Sequence, residues 1–256
     1  MQVQNKLSKK LEQSGKFGNF LPPALIIIIS VVEMIKTIKS SNYNSYTSQK
    51  MYLDNSKTDK TKRMIERLGM RFLVFPKVYG SSQDSELMAK TVIINKRQDF
   101  LEIGTGCGVV AIYISRKCRK GIATDINPQA IRNAKYNAKR LGTNNLTFVK
   151  SDIFNKVNGK FDVVVFNPPY SDYKARDVTD RMFWDTNNEA KIKFFQGVKK
   201  HLKPSGRIYF GWANFRDLDT CLPFRLIRMA GLQIIRITKK KSDEGFNFFV
   251  FEIRDK

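Results

Sequence analysis

The sequence predicts an α/β fold: a doubly wound, mostly parallel seven-stranded sheet with an antiparallel C-terminal hairpin and a small helical N-terminal extension. Three observations lead there. Short apolar runs alternate with helical patterns from about residue 100 to residue 230, the rhythm of βαβ units. The run Phe161-Asp162-Val163-Val164-Val165-Phe166 is apolar at nearly every position, as a strand covered on both faces must be. Gly104, Gly106 and Gly108 follow the first run and precede the first helical pattern, where the backbone must turn sharply.

Taken in order, residues 1–20 are polar and basic and predict disorder. Residues 21–32 (LPPALIIIISVV) are strongly apolar, but too short to span a bilayer, opened by two prolines and closed by Glu33 and Lys36. With no small-residue cleavage site, they predict a helix over residues 24–39 packed on the domain or a partner, without stable membrane insertion. Residues 40–49 (SSNYNSYTSQ) predict a polar linker. Residues 57–68 predict a basic helix, with Met64, Ile65 and Leu68 at helical spacing. Residues 72–76 predict a short extended piece. The main domain is therefore expected over residues 71–256, with residues 1–70 as a basic extension.

Within that domain, Ser82 or Asp84 can cap a helix running to about residue 95. Strands follow at residues 100–103, 121–124, 146–149, 161–166 and 207–211. Helices are expected at residues 109–116, 128–141 (with Pro128 in the first turn), 189–202 and 218–230. Residues 232–237 and 247–253 have no helix between them and predict an antiparallel edge hairpin around the charged loop 239–245.

Lys and Arg number 46 against 23 Asp and Glu, a net charge of +23 spread along the chain. A polyanionic partner such as nucleic acid or a ribonucleoprotein would exploit it, and a lysine-favouring genome composition would equally produce it. Mean hydropathy, −0.37, is that of an ordinary globule. Cys107, Cys118 and Cys221 are odd in number and lack metal-ligand spacing, and His201 is the only histidine. That argues against a metal site and a disulfide framework and fits a reducing cytoplasm.

The candidate chemistry lies at strand ends. Glu102 and the Gly104-Thr105-Gly106-Cys107-Gly108 turn end the first strand; Asp125, with Ile126 and Asn127, ends the second; Asp152 and Ile153 end the third. An acid about 20 residues beyond a glycine turn is placed to accept ribose hydroxyls. Asp152 can receive an adenine amino group, with Ile153 over the ring. A nicotinamide enzyme would use a similar turn but needs a proton-handling residue, and His201, flanked by Lys200 and Lys203 at a helix end, is not one. The fourth strand ends in Asn167-Pro168-Pro169-Tyr170. Proline cannot donate to a ladder and holds the preceding Asn167 extended.

Together, Glu102, the three glycines, Asp125, Asp152 and Asn167-Pro168-Pro169-Tyr170 resemble the Rossmann-like class I S-adenosylmethionine-dependent methyltransferases. The Asn-Pro-Pro-Tyr form is similar to that of the HemK/PrmC-like small-domain group and of adenine-N6 and guanine-N2 methyltransferases, which act on planar nitrogens. Residues 82–87 are similar to the acidic segment preceding the glycine loop in that group. The resemblance covers roughly residues 80–254. It implies S-adenosyl-L-methionine as cofactor, with Glu102, Gly104, Thr105, Gly106 and Gly108 at its methionine portion, Asp125 at the ribose and Asp152 with Ile153 at the adenine, and with Ile126, Asn127 and Asn167 also among the cofactor-binding residues. It implies that Asn167 and Pro168 accept hydrogen bonds from the substrate –NH2, that Pro169 shapes the corner and that Tyr170 stacks on the substrate. The long charged loop 171–188 is either a substrate lid carrying Trp184, or Phe183 and Trp184 merely anchor it. The expected substrate is a protein glutamine in a translation factor or a ribosomal protein, or alternatively a base of RNA or DNA. A non-catalytic nucleic-acid-binding protein on the same fold would not need the intact Asn167–Tyr170 corner.

Overall fold

The computed structural model describes residues 38–256. The expectations for residues 1–20, 21–32 and most of 24–39 lie outside them. Among the described residues no helix is long and apolar enough to cross a membrane.

Five strands are parallel: β3 (Asp99–Ile103), β4 (Lys120–Asp125), β5 (Leu146–Lys150), β6 (Phe161–Phe166) and β7 (Leu202–Ala213). With β8 (Leu232–Lys241) and β9 (Asn247–Asp255) they form one sheet in the order β5-β4-β3-β6-β7-β9-β8. The C-terminal hairpin is antiparallel as expected, with β9 inserted beside β7 and β8 left at the edge. β8 takes in Lys239 to Lys241, so the charged loop shrinks to a turn around Gly245.

Chain direction across the sheet reverses between β3 and β6, whose last residues, Ile103 and Phe166, are register partners. In open α/β sheets ligands bind in the crevice at such a switch point. The glycine turn leaves β3 and the Asn-Pro-Pro corner leaves β6 side by side, so the topology alone brings the two motifs together.

Helices α2 (Gln83–Thr91), α3 (Val109–Ser115), α4 (Pro128–Arg140), α5 (Glu189–Gly197) and α6 (Leu222–Met229) fall where the periodicity places them, with shorter ends. The helix expected over residues 189–202 stops at Gly197 and tightens into a 3-10 turn, Val198–His201, before β7.

Residues 40–70 depart from expectation. A helix, α1 (Tyr46–Thr58), starts inside the presumed linker, and the helix expected at residues 57–68 is a strand, β1 (Arg63–Arg67), paired with β2 (Met70–Val74). Leu68 and Gly69 both have positive φ (55° and 70°), the two-residue hairpin turn whose twist suits its strands. Leucine rarely adopts that conformation, so the turn carried no sequence signal. The apolar spacing of Met64, Ile65 and Leu68 imitates a helix instead.

This segment belongs to the same compact unit as the sheet, Ser40–Lys256, rather than to an extension ending at residue 70. Polar bonds tie it there. Asn137 of α4 accepts from the Leu73 N–H (2.9 Å) and Asn133 from the Phe75 N–H (2.8 Å), and both amides donate to the Leu73 carbonyl. Buried backbone groups need such partners.

Core fit is tight where β3 meets β4. A Cβ on Gly121 would lie 2.2 Å from the Phe100 ring, its register partner. Gly121→Ala should therefore destabilise the protein by about 1–3 kcal/mol. Phe100→Leu in the same chain should recover part of that loss in urea unfolding, and strictly additive effects would show that the two sites do not share this space.

Candidate functional site

The switch point opens into a cavity of about 530 Å³. Its wall holds Glu102, Gly104, Thr105, Gly106, Asp125, Ile126, Asn127, Asp152, Ile153, Asn167, Pro168, Pro169, Tyr170 and Trp184. Gly108 is the one expected residue off the wall. A Cβ there would press on Ala134 and Ile112 at 3.1 Å, so this glycine, with φ 91°, lets α3 start against α4. His201 is also off the wall, stacked on Phe154 at 4.5 Å.

At the glycine turn, Gly104 and Gly106 take positive φ (73° and 55°), and a Cβ on Gly106 would stand 3.4 Å from the Tyr79 carbonyl oxygen. Asp125 accepts from the Gly106 N–H (2.9 Å) and the Asn127 N–H (2.8 Å). Burial pushes its carboxyl up to about 6, against the lowering pull of those backbone donors. Glu102 is 3% exposed, and its Oε2 has no hydrogen-bond partner. Burial pushes it up to about 7, with the nearby Asp125 charge adding to the rise. The amide of Asn127 is engaged structurally, capping α4 at the Gln129 N–H and donating to the Lys77 carbonyl, so its part in any ligand contact falls to its backbone. Asp152 pairs with Lys193 at 3.1 Å. Ile153 has φ 45°, a strained conformation for a β-branched residue, of the kind that collects at ligand sites.

The Asn-Pro-Pro-Tyr corner is organised by Asp84, which the sequence offers as a helix cap and as part of the acidic segment 82–87, with no link to Asn167. Asp84, 6% exposed, accepts from the Asn167 amide nitrogen (2.8 Å) through Oδ2, and from the Ser82 hydroxyl and the Ser85 N–H (both 2.7 Å) through Oδ1. The Tyr170 hydroxyl donates to Asn167 Oδ1 at 2.7 Å. A carboxylate only accepts and a phenol here donates, so the two sides of the amide are distinguished. Gly211 makes the room: a Cβ there would fall 2.0 Å from Asn167 Oδ1.

Tyr170 departs from its expected role, and Trp184 takes the anchoring one of its two alternatives. Tyr170 is 7% exposed, its ring packed against Trp212, Phe215 and Phe248, so the hydroxyl orients Asn167 and the ring does not offer a stacking face. Trp184 is likewise buried. It stacks on Tyr46 and donates from Nε1 to Gln49 of α1 at 3.0 Å. Loop 171–188 is thus anchored under α1, and Lys57 reinforces the contact by pairing with Asp177 and Asp180.

Lys191, which no sequence signal marked, is fully buried on α5. Its ammonium pairs with buried Asp185 at 2.9 Å and donates to the carbonyls of Pro169 (2.8 Å) and Tyr170 (3.3 Å). Burial lowers its pKa, and the Asp185 charge opposes that. These bonds fix the carbonyls after Pro168, whose own carbonyl has no donor among the described residues. Removing one partner of a buried pair leaves the other charge uncompensated. Lys191→Met should therefore cost about 3–5 kcal/mol of stability, and the double variant Lys191→Met/Asp185→Asn should cost less than the single one in thermal unfolding. Equal losses would show that the pair is not coupled.

Comparison with known proteins places the chain among methyltransferases. Residues 72–226, more than half of the chain, match the model of the methyltransferase small domain. A protein named as a protein N5-glutamine methyltransferase of Methanocaldococcus jannaschii is 44% identical over 108 residues, covering 42% of this chain and 54% of its own. A release factor glutamine methyltransferase of Cereibacter sphaeroides is 30% identical over 159 residues, covering 56% and 57%. The chain spans about half the length of these curated relatives. Among solved structures, Methanocaldococcus jannaschii Trm5 in complex with adenosine superposes with TM-score 0.57 at 19% identity, over 77% of this chain and 56% of that one. A ribosomal protein L11 methylase of Lactobacillus delbrueckii subsp. bulgaricus gives 0.53 at 20%, over 70% and 81%. The chain belongs to the methyltransferase small domain family, as a HemK/PrmC-like member with the class I methyltransferase fold.

Proposed function

We propose that this protein is an S-adenosylmethionine-dependent N-methyltransferase acting on a planar amide nitrogen, a glutamine side chain of a protein substrate such as a translation factor. The observation that carries the reading is the Asn167 amide, clamped by Asp84 and Tyr170 beside the glycine turn. The names of the glutamine-methylating relatives favour the amide.

The cavity fits the cofactor. Gly104 and Gly106 form a cradle that a Cβ would narrow, and Glu102 Oε2 and Thr105 Oγ1 are buried polar atoms without partners. In this reading Glu102, Gly104, Thr105 and Gly106 take the methionine portion, Asp125 and Ile126 the ribose, and Asp152 with Ile153 the adenine. When bound, S-adenosylmethionine supplies a sulfonium methyl group to the acceptor nitrogen. The protein's task is to make that nitrogen a better nucleophile, because its lone pair is delocalised into the carbonyl. Asn167 Oδ1 keeps one lone pair beyond the Tyr170 bond, and with the Pro168 carbonyl it can accept both N–H groups. Those acceptors orient the nitrogen and stabilise the positive charge that develops on it. Ser48, Gln49 and Tyr52 of α1 share the wall and give residues 46–58 a place at the substrate. A cytoplasmic location belongs to the same reading, as does a protein partner at the cavity mouth.

A base amine of RNA or DNA is the second reading, favoured by the net charge of +23. Labelled cofactor and cell extract separate the two: label removed by protease supports the glutamine, and label removed by nuclease replaces it with a base.

Asn167→Ala should lower single-turnover rates at least about a hundredfold with cofactor affinity nearly unchanged; near-normal turnover would remove Asn167 from the chemistry. Glu102 gives a pH signature. Its pKa in the ligand-free protein lies near 7, above the ordinary carboxyl value, so between about pH 4.5 and 7 the native state binds more protons than the unfolded one. Ligand-free stability should fall as pH rises through that window. An ammonium beside Glu102 requires the ionised form, so S-adenosylhomocysteine should bind more tightly from pH 6 to 8 with proton release, measured by calorimetry in buffers of different ionisation enthalpy. Glu102→Gln should abolish this dependence.

A further inference from the structure

Among the described residues, six buried side-chain polar atoms have no hydrogen-bond partner, and five of them belong to residues on the wall of the switch-point cavity: Arg67 Nε, Ser81 Oγ, Gln83 Oε1, Glu102 Oε2 and Thr105 Oγ1. A buried polar group without a partner costs free energy, so five around one space mark where a polar ligand replaces water.

Their chemistry is specific. The group contains one cation and one buried carboxylate, together with two hydroxyls and an amide oxygen. Arg67 Nη2 donates to the Ser81 carbonyl at 3.3 Å, which fixes the guanidinium to the segment that includes Tyr79 and Ser81. That segment runs over the glycine turn, where the Tyr79 carbonyl stands 3.4 Å from the position of a Cβ on Gly106. The Cys107 thiol of the glycine turn, raised mainly by burial, feels the charges of both Glu102 and Arg67, so both lie near the turn. Ser81 holds φ 68°, strained for a residue that is not glycine. The nearest acid to Arg67 Nε is Glu86 at 3.8 Å, too far for a hydrogen bond.

We propose that Arg67, with Ser81, forms the carboxylate half of a zwitterion subsite whose ammonium half is Glu102, so that the β1–β2 hairpin binds the amino-acid end of the cofactor. A free phosphate would leave the buried Glu102 carboxyl facing a like charge, whereas an α-amino acid satisfies both ends. Arg67 itself lies outside residues 72–226, the span that matches the family model. The proposal rests on the cofactor reading above.

Three adenosine thioethers test it by calorimetry on the full chain: S-adenosylhomocysteine, its decarboxylated analogue that keeps the amine, and 5′-methylthioadenosine, which has neither group. Arg67→Gln should weaken S-adenosylhomocysteine on the order of ten- to a hundredfold and leave the other two unchanged. Arg67→Lys should fall between, keeping the charge without the fork. Ser81→Ala should give a smaller loss on S-adenosylhomocysteine alone. Equal weakening of all three ligands, or of none, overturns the carboxylate contact. If the unaltered protein binds none of the three, the cofactor reading itself fails and the subsite with it.

Discussion

The architecture of the site depends on one buried carboxylate. Asp84 opens α2, a helix that belongs neither to the glycine turn nor to the Asn-Pro-Pro corner, and it bonds the corner at Asn167. An amide side chain at the end of a strand is free to rotate. Accepting only at Asp84 and donating only from Tyr170, the surroundings leave Asn167 one orientation. The aromatic box of Trp212, Phe215 and Phe248 holds the Tyr170 hydroxyl in place, and Gly211 keeps β7 out of the way of the amide oxygen. Four separate segments thus converge on a single side chain.

The second half of the cavity is built on the opposite principle. Around the glycine turn, polar groups are buried and left incomplete: Glu102 Oε2 and Thr105 Oγ1 lack partners, burial raises the carboxyls of both Glu102 and Asp125, and the Asp125 charge adds to the rise at Glu102. Ile153 and Ser81 add strained backbone at the same wall. Such features persist when surrounding structure over-determines them, and here the parallel sheet beneath does so. One half of the site is hydrogen-bonded on both sides of the Asn167 amide, and the other keeps buried polar atoms unpaired.

The outer wall has its own supports. α1 and loop 171–188 lock together through Trp184, Gln49, Ser171 and Lys57, while buried Lys191 holds the carbonyls of Pro169 and Tyr170 from below. The loop resolves as an anchored wall, in which Phe183 packs edge-on against Tyr52 and Tyr79. Rigid placement suits the proposed reaction, in which acceleration would come from orienting a weak nucleophile.

Much of this was written in the sequence. Apolar runs fixed the parallel strands, because a strand covered on both faces has no polar alternation to hide, and the glycines, Asp125, Asp152 and Asn167-Pro168-Pro169-Tyr170 all stand at strand ends because the β/α rhythm puts them there. What the sequence could not settle were contacts between distant positions. Asp84 looks like a helix cap, Lys191 like a solvated lysine on a basic chain, Arg67 like part of a helix, and Tyr170 like a stacking ring. Each role is set by a partner between 14 and 83 residues away: Asn167 for Asp84, the Pro169 carbonyl for Lys191, the Ser81 carbonyl for Arg67 and Trp212 for Tyr170. Local periodicity reports which face of an element is buried. Which buried polar atoms meet is decided only when the sheet has closed and the switch point has brought β3, β6, α2 and the hairpin to one place.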